Sequence, residues 1–392
     1  MAKVAIMGFG TVGSGVYEII KNKNFEKALG EDVEVKYILD IRDFDEPKGL
    51  LTKEFDDILN DDEVTIVAEV MGGLHPAYEF TKSLLEKGKS VVTSNKELVA
   101  TYGTELLNLA WDNGVQYLFE ASVGGGIPVI AAMTNNLGAN RIEKIAGILN
   151  GTTNYILTEM FTKGKDFEEV LKKAQELGYA ERNPAADVEG HDACRKIAIL
   201  SSLAWGKFVD YREINTEGIT NITLEDVAYA EKLNSVIKLI GYADINDEDK
   251  VYARVSPMMI KKDNPIAGVN DVFNAVMVSC DNLGDAMFYG RGAGKLPTAS
   301  AVVSDILECQ KHKKMHNILW EETEENFLVC HDEKEVSYFV RIKGENAKFA
   351  DYEEVSCGMA DEKAYILPKM TEKAFRELTE GVDLLSKIRV YE

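Results

Sequence analysis

The chain has 392 residues, 45% hydrophobic and 28% charged, which is enough for two or three domains with substantial cores. A formal net charge of −22 argues against a nucleic acid or an anionic membrane as partner, since both demand a basic surface. Five dispersed cysteines without a C-x-x-C, five scattered histidines, no signal peptide and no apolar run of bilayer length lead us to expect reduced thiols, a cytoplasmic location and no clustered zinc site.

Lys3–Met7 reads as a short buried strand that runs directly into Gly8-Phe9-Gly10-Thr11-Val12-Gly13, and a helical pattern through Val16, Ile19 and Ile20 follows. A G-x-G-x-x-G gains meaning in this strand-to-helix context. Its first glycine permits the turn, its second lets the backbone approach a pyrophosphate, and its third lets helix and strand pack closely. The unpaired N–H groups of the helix start then face the phosphates, so the pattern predicts a dinucleotide site. Val33–Leu39 is the next strand and ends at Asp40, where an acid would bind the adenine ribose hydroxyls of NAD. Arg42, two residues on, would instead accept the 2′-phosphate of NADP, and both cofactors stay open.

Strands at Val64–Ala68, Ser90–Thr93 and Val115–Glu120 alternate with helices at Pro76–Glu86 and Glu97–Trp111. This βαβ rhythm predicts a parallel, doubly wound sheet. Thr93, Ser94 and Lys96 fall at the carboxyl edge, where open α/β sheets bind ligands. A cation sits poorly at a helix start, which gives Lys96 a ligand-facing reading. Glu120 precedes Gly124-Gly125-Gly126. One carboxylate with turned-in carbonyls suits a hard cation, and a tight turn would use the same residues.

Arg141–Leu149 alternates like a half-buried strand and ends in Asn150-Gly-Thr-Thr-Asn154, with Thr152 or Asn154 as a helix cap. A helix over Asp166–Leu177 is closed by Gly178. The next stretch, Gly178–Lys196, is dense in carboxylates, Glu181, Asp187 and Glu189 among them, before it becomes a helix. There Asp192 and Lys196 stand at i and i+4, on a stripe continued by Ile199 and Leu203. A buried amine beside carboxylates suits proton transfer, and a helix-surface ion pair would use the same two residues. Thr223–Ile240 reads as a helix, Val251–Ile260 and Val272–Cys280 as strands, and Gly284–Pro297 as a second glycine-rich loop leading into a helix over Thr298–Gln310. Strands of this middle region are expected to build a sheet shared between subunits of a homodimer or a dimer of dimers. A basic Lys311–Lys314 and an acidic Glu321–Glu325 read as a linker to a small α+β tail.

By these motifs the sequence resembles homoserine dehydrogenases. The resemblance rests on Gly8–Gly13, Val92–Glu97, Glu120–Pro128, Asn150–Asn154, Gly178–Lys196 and Gly284–Pro297, in the family's order and spacing. It implies NAD(P)H-dependent reduction of L-aspartate 4-semialdehyde to L-homoserine, a step towards threonine and methionine. It implies Lys196 as proton donor to the aldehyde oxygen with Asp192 beside it, Glu181 and Asp187 as substrate-holding carboxylates, Lys96 as a residue shared by nicotinamide and substrate, and Thr152 as a substrate-lining residue. It also implies a structural sodium ion held by Glu120 and the carbonyls of Val123, Gly125 and Ile127, and positions near the cofactor for Gly178 and Gly294. The tail resembles an ACT domain, with threonine as its implied effector, yet Gly344–Ala350 lacks the usual Pro-Gly turn and a well-marked helix. The expected fold is therefore α/β: a Rossmann-type dinucleotide domain over 1–134, completed by about 298–312, an α+β substrate and dimerisation domain over 135–297, and an ACT-like domain over 325–392.

Overall fold

The computed structural model describes residues 2–312, 320–323, 327–359 and 361–392. The chain forms two compact units. The first comprises Met1–Arg141, Ala198–Asp210 and Phe288–Thr323, and the second comprises Ile142–Ile197, Tyr211–Met287 and Glu324–Glu392.

The first unit holds a parallel sheet of six strands: β1 (Ala2–Met7), β2 (Val33–Leu39), β3 (Leu51–Thr52), β4 (Val64–Glu69), β5 (Ser90–Thr93) and β6 (Tyr117–Leu118), in the order β3-β2-β1-β4-β5-β6. The order reverses at β1, which pairs in parallel with β2 on one side and β4 on the other. That reversal is the place where such sheets bind dinucleotides. Helix Thr11–Asn22 follows β1 directly, as the glycine motif predicts. Its Val16 and Ile20 pack with Val4 and Ile6 and with Val302 and Ile306 of helix Lys295–Lys311 in one apolar cluster. The strand expected over Val115–Glu120 shrinks to β6, because a 3-10 turn takes over at Glu120–Ser122. Trp320, only 1% exposed, donates its indole N–H to the Thr104 hydroxyl at 2.9 Å and meets the Phe119 ring edge-on. The expected linker therefore contains a core residue, and its members at 313–314 and 324–325 lie outside the described residues.

The second unit is built on a mixed sheet of β7 (Ile142–Ile148), β8 (Asn215–Thr216), β9 (Ser235–Ile245), β10 (Val251–Lys261), β11 (Phe273–Cys280), β12 (Gly284–Arg291), β13 (Glu335–Lys343), β14 (Glu353–Val355), β15 (Glu362–Thr371) and β16 (Leu384–Val390). The order is β12-β11-β7-β9-β10-β16-β13-β15-β14, with β8 pairing to β10. Two expectations fail here. The helix expected over Thr223–Ile240 stops at Lys232, and Ser235–Ile245 is a strand. Asn234, at φ 51°, makes the turn between them. The run beyond is buried on both faces, so it shows no alternation to mark it as β. The glycine-rich loop expected over Gly284–Pro297 is largely strand β12, with its helix starting early, at Lys295.

The tail is continuous with this sheet, because β16 pairs in parallel with β10 through Met258–Arg389 and Met259–Val390. Tyr338, Phe349, Leu367 and Phe375 form its core. After β13 the backbone makes only a 3-10 turn at Ala347–Phe349 before β14, so the poorly marked helix of the sequence is a single turn. Among the described residues no helix is long and apolar enough to cross a membrane.

Candidate active site

In the first unit the glycine motif closes on itself. Gly8 takes φ +97°, and a Cβ on Gly13 would stand 1.9 Å from the Gly8 carbonyl oxygen, so neither position accepts a side chain. Gly10 is the N-cap of helix Thr11–Asn22 and offers no side-chain cap, which leaves the first N–H groups near Thr11, Val12 and Gly13 for a ligand. This cradle fits a pyrophosphate. At the end of β2 the Asp40 carboxylate accepts from the Phe9 N–H at 2.7 Å, and from the Arg42 N–H, Nε and Nη2 at 2.9, 3.0 and 2.8 Å. Hydrogen bonding from Arg42 holds the carboxyl at about 2.

At the end of β5, Thr93 is fully buried; its hydroxyl donates to Glu69 at 2.6 Å and accepts the Asn95 N–H at 2.9 Å. Its part is to shape the strand end. Asn95 caps the next helix by accepting the Leu98 N–H at 3.1 Å, which places Ser94 before that cap and Lys96 as the first helical residue. Glu69 was not anticipated from sequence. Burial raises its pKa, and it anchors both Thr93 and the Met71 N–H.

Glu120 is buried, and its two oxygens accept the N–H groups of Ile130 and Ala131 at 2.9 and 2.6 Å. Its own N–H donates to Asp305 at 2.9 Å. Burial raises the pKa of both carboxyls. Val123 and Ile127 are buried nearby in sequence, and Gly125, at φ +56°, lies against the Gly292 carbonyl of the turn that ends at Gly294. Gly294, at φ +124°, caps helix Lys295–Lys311. Among the described residues no three acidic, His or Cys side chains converge on a point, so a cation at Glu120 would depend on backbone carbonyls.

The second unit carries the acid–amine pair. Helix His191–Trp205 holds Asp192 and Lys196 at 4% and 8% exposure. The Lys196 ammonium donates to Asp192 Oδ2 and to the Leu149 carbonyl, both at 2.7 Å. The organising residue is Asn150, at the end of β7. Its Oδ1 accepts the Thr153 N–H at 2.9 Å and caps helix Gly151–Lys163, while its Nδ2 donates to Asp187 at 2.7 Å and to Asp192 at 2.9 Å. Only one amide orientation satisfies a donor and two carboxylates together, which fixes the side chain. The cap was expected at Thr152 or Asn154. Instead Thr152 donates to the Tyr179 carbonyl at 2.7 Å, and Asn154 donates to the Val269 and Phe273 carbonyls. Gly178, at φ +76°, ends helix Phe167–Glu176, and Glu181 is exposed in the loop beyond. The structure thus gathers Asp187, Asp192 and Lys196 around Asn150. The sequence offered only the N-cap preference as a sign of Asn150, since its partners are 37 and 42 residues away.

A glycine cradle at the reversal of a parallel sheet, with a buried lysine–carboxylate pair on a second unit, defines a nicotinamide-dependent oxidoreductase that acts on a CH–OH carbon. Comparison with known sequences agrees. The homoserine dehydrogenase NAD-binding domain matches residues 8–120, and the homoserine dehydrogenase family pattern matches residues 128–307. The chain is 48% identical to the homoserine dehydrogenase of Synechocystis sp. over 78% of its own length and 72% of that protein's. It is 42% identical to the Bacillus subtilis homoserine dehydrogenase over 80% and 74%. A solved homoserine dehydrogenase from Thiobacillus denitrificans superposes with a TM-score of 0.91 at 35% identity, covering 100% of this chain and 98% of that one. A hyperthermophilic archaeal homoserine dehydrogenase in complex with NADPH gives 0.69 at 30% identity, over 81% and 99%. The chain belongs to the homoserine dehydrogenase family, NAD(P)-dependent enzymes that interconvert L-aspartate 4-semialdehyde and L-homoserine.

Proposed function

We propose that Lys196 protonates the aldehyde oxygen of aspartate semialdehyde during reduction and takes the proton back in the reverse direction. The observation that carries this reading is the buried Lys196–Asp192 pair, tied through Asn150 to Asp187. Bound NAD(P)H supplies the hydride. As negative charge builds on the carbonyl oxygen, a cationic lysine stabilises it and delivers a proton. Asp192 keeps the amine aimed through their 2.7 Å hydrogen bond, while Asp187 and Glu181 suit the α-ammonium of an amino-acid substrate. Thr152 shapes the wall beside them and Lys96 adds a second cation for substrate or nicotinamide. The direct test follows nicotinamide absorbance while the purified protein meets aspartate semialdehyde with NADPH and with NADH. Consumption of cofactor by the unmodified chain but not by Lys196→Ala supports the assignment; equal rates reject it.

The pathway reading is a step towards threonine and methionine in the cytoplasm. NADP is favoured over NAD by the exposed Arg42 guanidinium, since Asp40 already receives four donors. A sodium ion at Glu120, with the carbonyls of Val123, Gly125 and Ile127, would offset two buried carboxyls, Glu120 and Asp305. A homodimer, or a dimer of dimers, is supported by the edge strand β12, whose Met287 and Tyr289 are 41% and 54% exposed. The tail is read as ACT-like with its first helix reduced to a turn, and threonine as its effector. Calorimetric titration of the full chain with threonine tests that reading, and no heat with no inhibition at millimolar ligand would leave the tail a structural one.

A further inference from the structure

One glutamate, Glu217, ties the tail to the segment that follows β8. Lys387 and Arg389, at alternate positions of β16, point to the same face of the strand. Arg389 donates to both oxygens of Glu217 at 2.6 and 3.1 Å and to Glu372 at 2.7 Å. Arg254 and Lys387 each come within 3.4 Å of Glu217. Three cations therefore converge on a side chain that lies just beyond the two-residue strand β8. Burial alone would raise the Glu217 carboxyl, but the Arg389 hydrogen bonds and the surrounding positive charge hold it at about 2.

The backbone around Glu217 is pinned on both sides. Its N–H donates to the Val255 carbonyl at 2.8 Å, and β8 pairs with β10 through Asn215–Arg254 and Thr216–Val255. On the other side, the Ile219 N–H donates to the Val188 carbonyl at 2.8 Å. Gly218 lies so close to the turn after helix Ala185–Val188 that a Cβ there would stand 2.2 Å from the Val188 oxygen and 2.6 Å from the Glu189 Cα. Gly190, at φ +87°, faces the Thr216 and Val255 side chains, where a Cβ would stand at 3.0 and 3.2 Å. Asp187 immediately precedes this braced turn and Asp192 follows it by two residues.

We propose that Glu217 is a positioning residue: by answering Arg389 of the tail, it holds Thr216–Ile219 against the Val188–Gly190 turn and so sets where Asp187 and Asp192 stand. The inference rests on the assignment of those two carboxylates to the substrate site. It gives the tail a direct effect on substrate affinity that requires no effector.

The experiment uses the full chain carrying Glu217→Gln, with homoserine and NADP as substrates and NADPH binding measured separately. The expected result is a KM for homoserine raised about tenfold, a smaller fall in kcat and an unchanged Kd for NADPH, as loss of substrate positioning requires. Arg389→Lys, which keeps the charge and loses the fork, should raise KM in the same sense. The double variant should be no worse than the more impaired single variant, because both changes cut one tie. A KM within twofold of the unmodified enzyme, with only the melting temperature lowered, would overturn the proposal. Should Glu217→Gln fail to fold, Glu217→Asp keeps the charge and shortens the reach, and must still raise KM. Asp187→Asn is the separate control. An unchanged KM in that variant condemns the substrate-site assignment, and not the tie from the tail.

Discussion

Asp40 and Arg42 grip each other at the end of β2, with the guanidinium closing on both carboxylate oxygens while remaining 58% exposed itself. A carboxylate so engaged is a poor acceptor for ribose hydroxyls, whereas the remaining N–H groups of Arg42, stacked 5.0 Å over Phe44, suit a phosphate. The unmodified enzyme is expected to prefer NADPH. Arg42→Ala should weaken NADPH about tenfold to a hundredfold, the worth of one or two charge-assisted hydrogen bonds, and leave NADH within a few-fold. Steady-state kinetics with each cofactor at saturating semialdehyde measures the ratio. Equal losses for both would place the 2′-phosphate elsewhere.

Replacing Lys196 by Ala removes the proton donor and the partner of Asp192 together. The expected fall in kcat is about two orders of magnitude or more, the usual contribution of a general acid. NADPH binding, followed by fluorescence titration, should be unchanged, because the cofactor cradle belongs to the first unit.

Asn150 offers a sharper test of geometry. Asn150→Ala loses a helix cap, about 1 kcal/mol of stability, and releases both Asp187 and Asp192, so a KM increase of about tenfold should accompany a modest drop in melting temperature. Asn150→Asp keeps an acceptor for the Thr153 N–H but sets a third carboxylate against two others, and should be the more damaging change. A milder effect from Asp than from Ala would show that the two acids do not depend on the amide.

The Glu217 network also fixes a pH window. Its carboxyl is depressed from an ordinary value of 4.5 to about 2, and the Glu372 carboxyl is depressed as well. A depressed acid contributes its stability above its unfolded pKa and loses it as pH falls through the folded value. The tie between tail and sheet should hold undiminished above about pH 5 and fail progressively between about pH 4.5 and pH 2. Melting temperature measured across that range should fall less steeply in Glu217→Gln than in the unmodified chain; parallel curves would show that this carboxylate carries no pH-linked stability.

The sequence made the cofactor half legible because local chemistry dictates it: a strand, three glycines and a helix leave the backbone few alternatives. The Asp192–Lys196 pair was equally readable, since helical periodicity alone puts both on one face. Asn150 was not, because its importance comes from two carboxylates that only the tertiary fold brings to it. Ser235–Ile245 was misread for the converse reason: burial on both faces gave it Val236, Ile237, Leu239 and Ile240, interrupted only by Lys238, a pattern that a buried helix shares. Glu217 looked like one charge among many, and nothing local to it signals the cations of β10 and β16.

The burial of Trp320 beside Thr104 has a spectroscopic consequence. The chain's other tryptophans are Trp111, 46% exposed, and the half-buried Trp205, and all three lie in the first unit. Emission from Trp111 and Trp320 therefore reports on the cofactor-binding unit, while Trp205 ends a helix whose first half, His191–Ile197, is counted with the second unit. In denaturant, an emission transition that departs from the far-ultraviolet dichroism transition would resolve the two units as separate folding events, with no label attached.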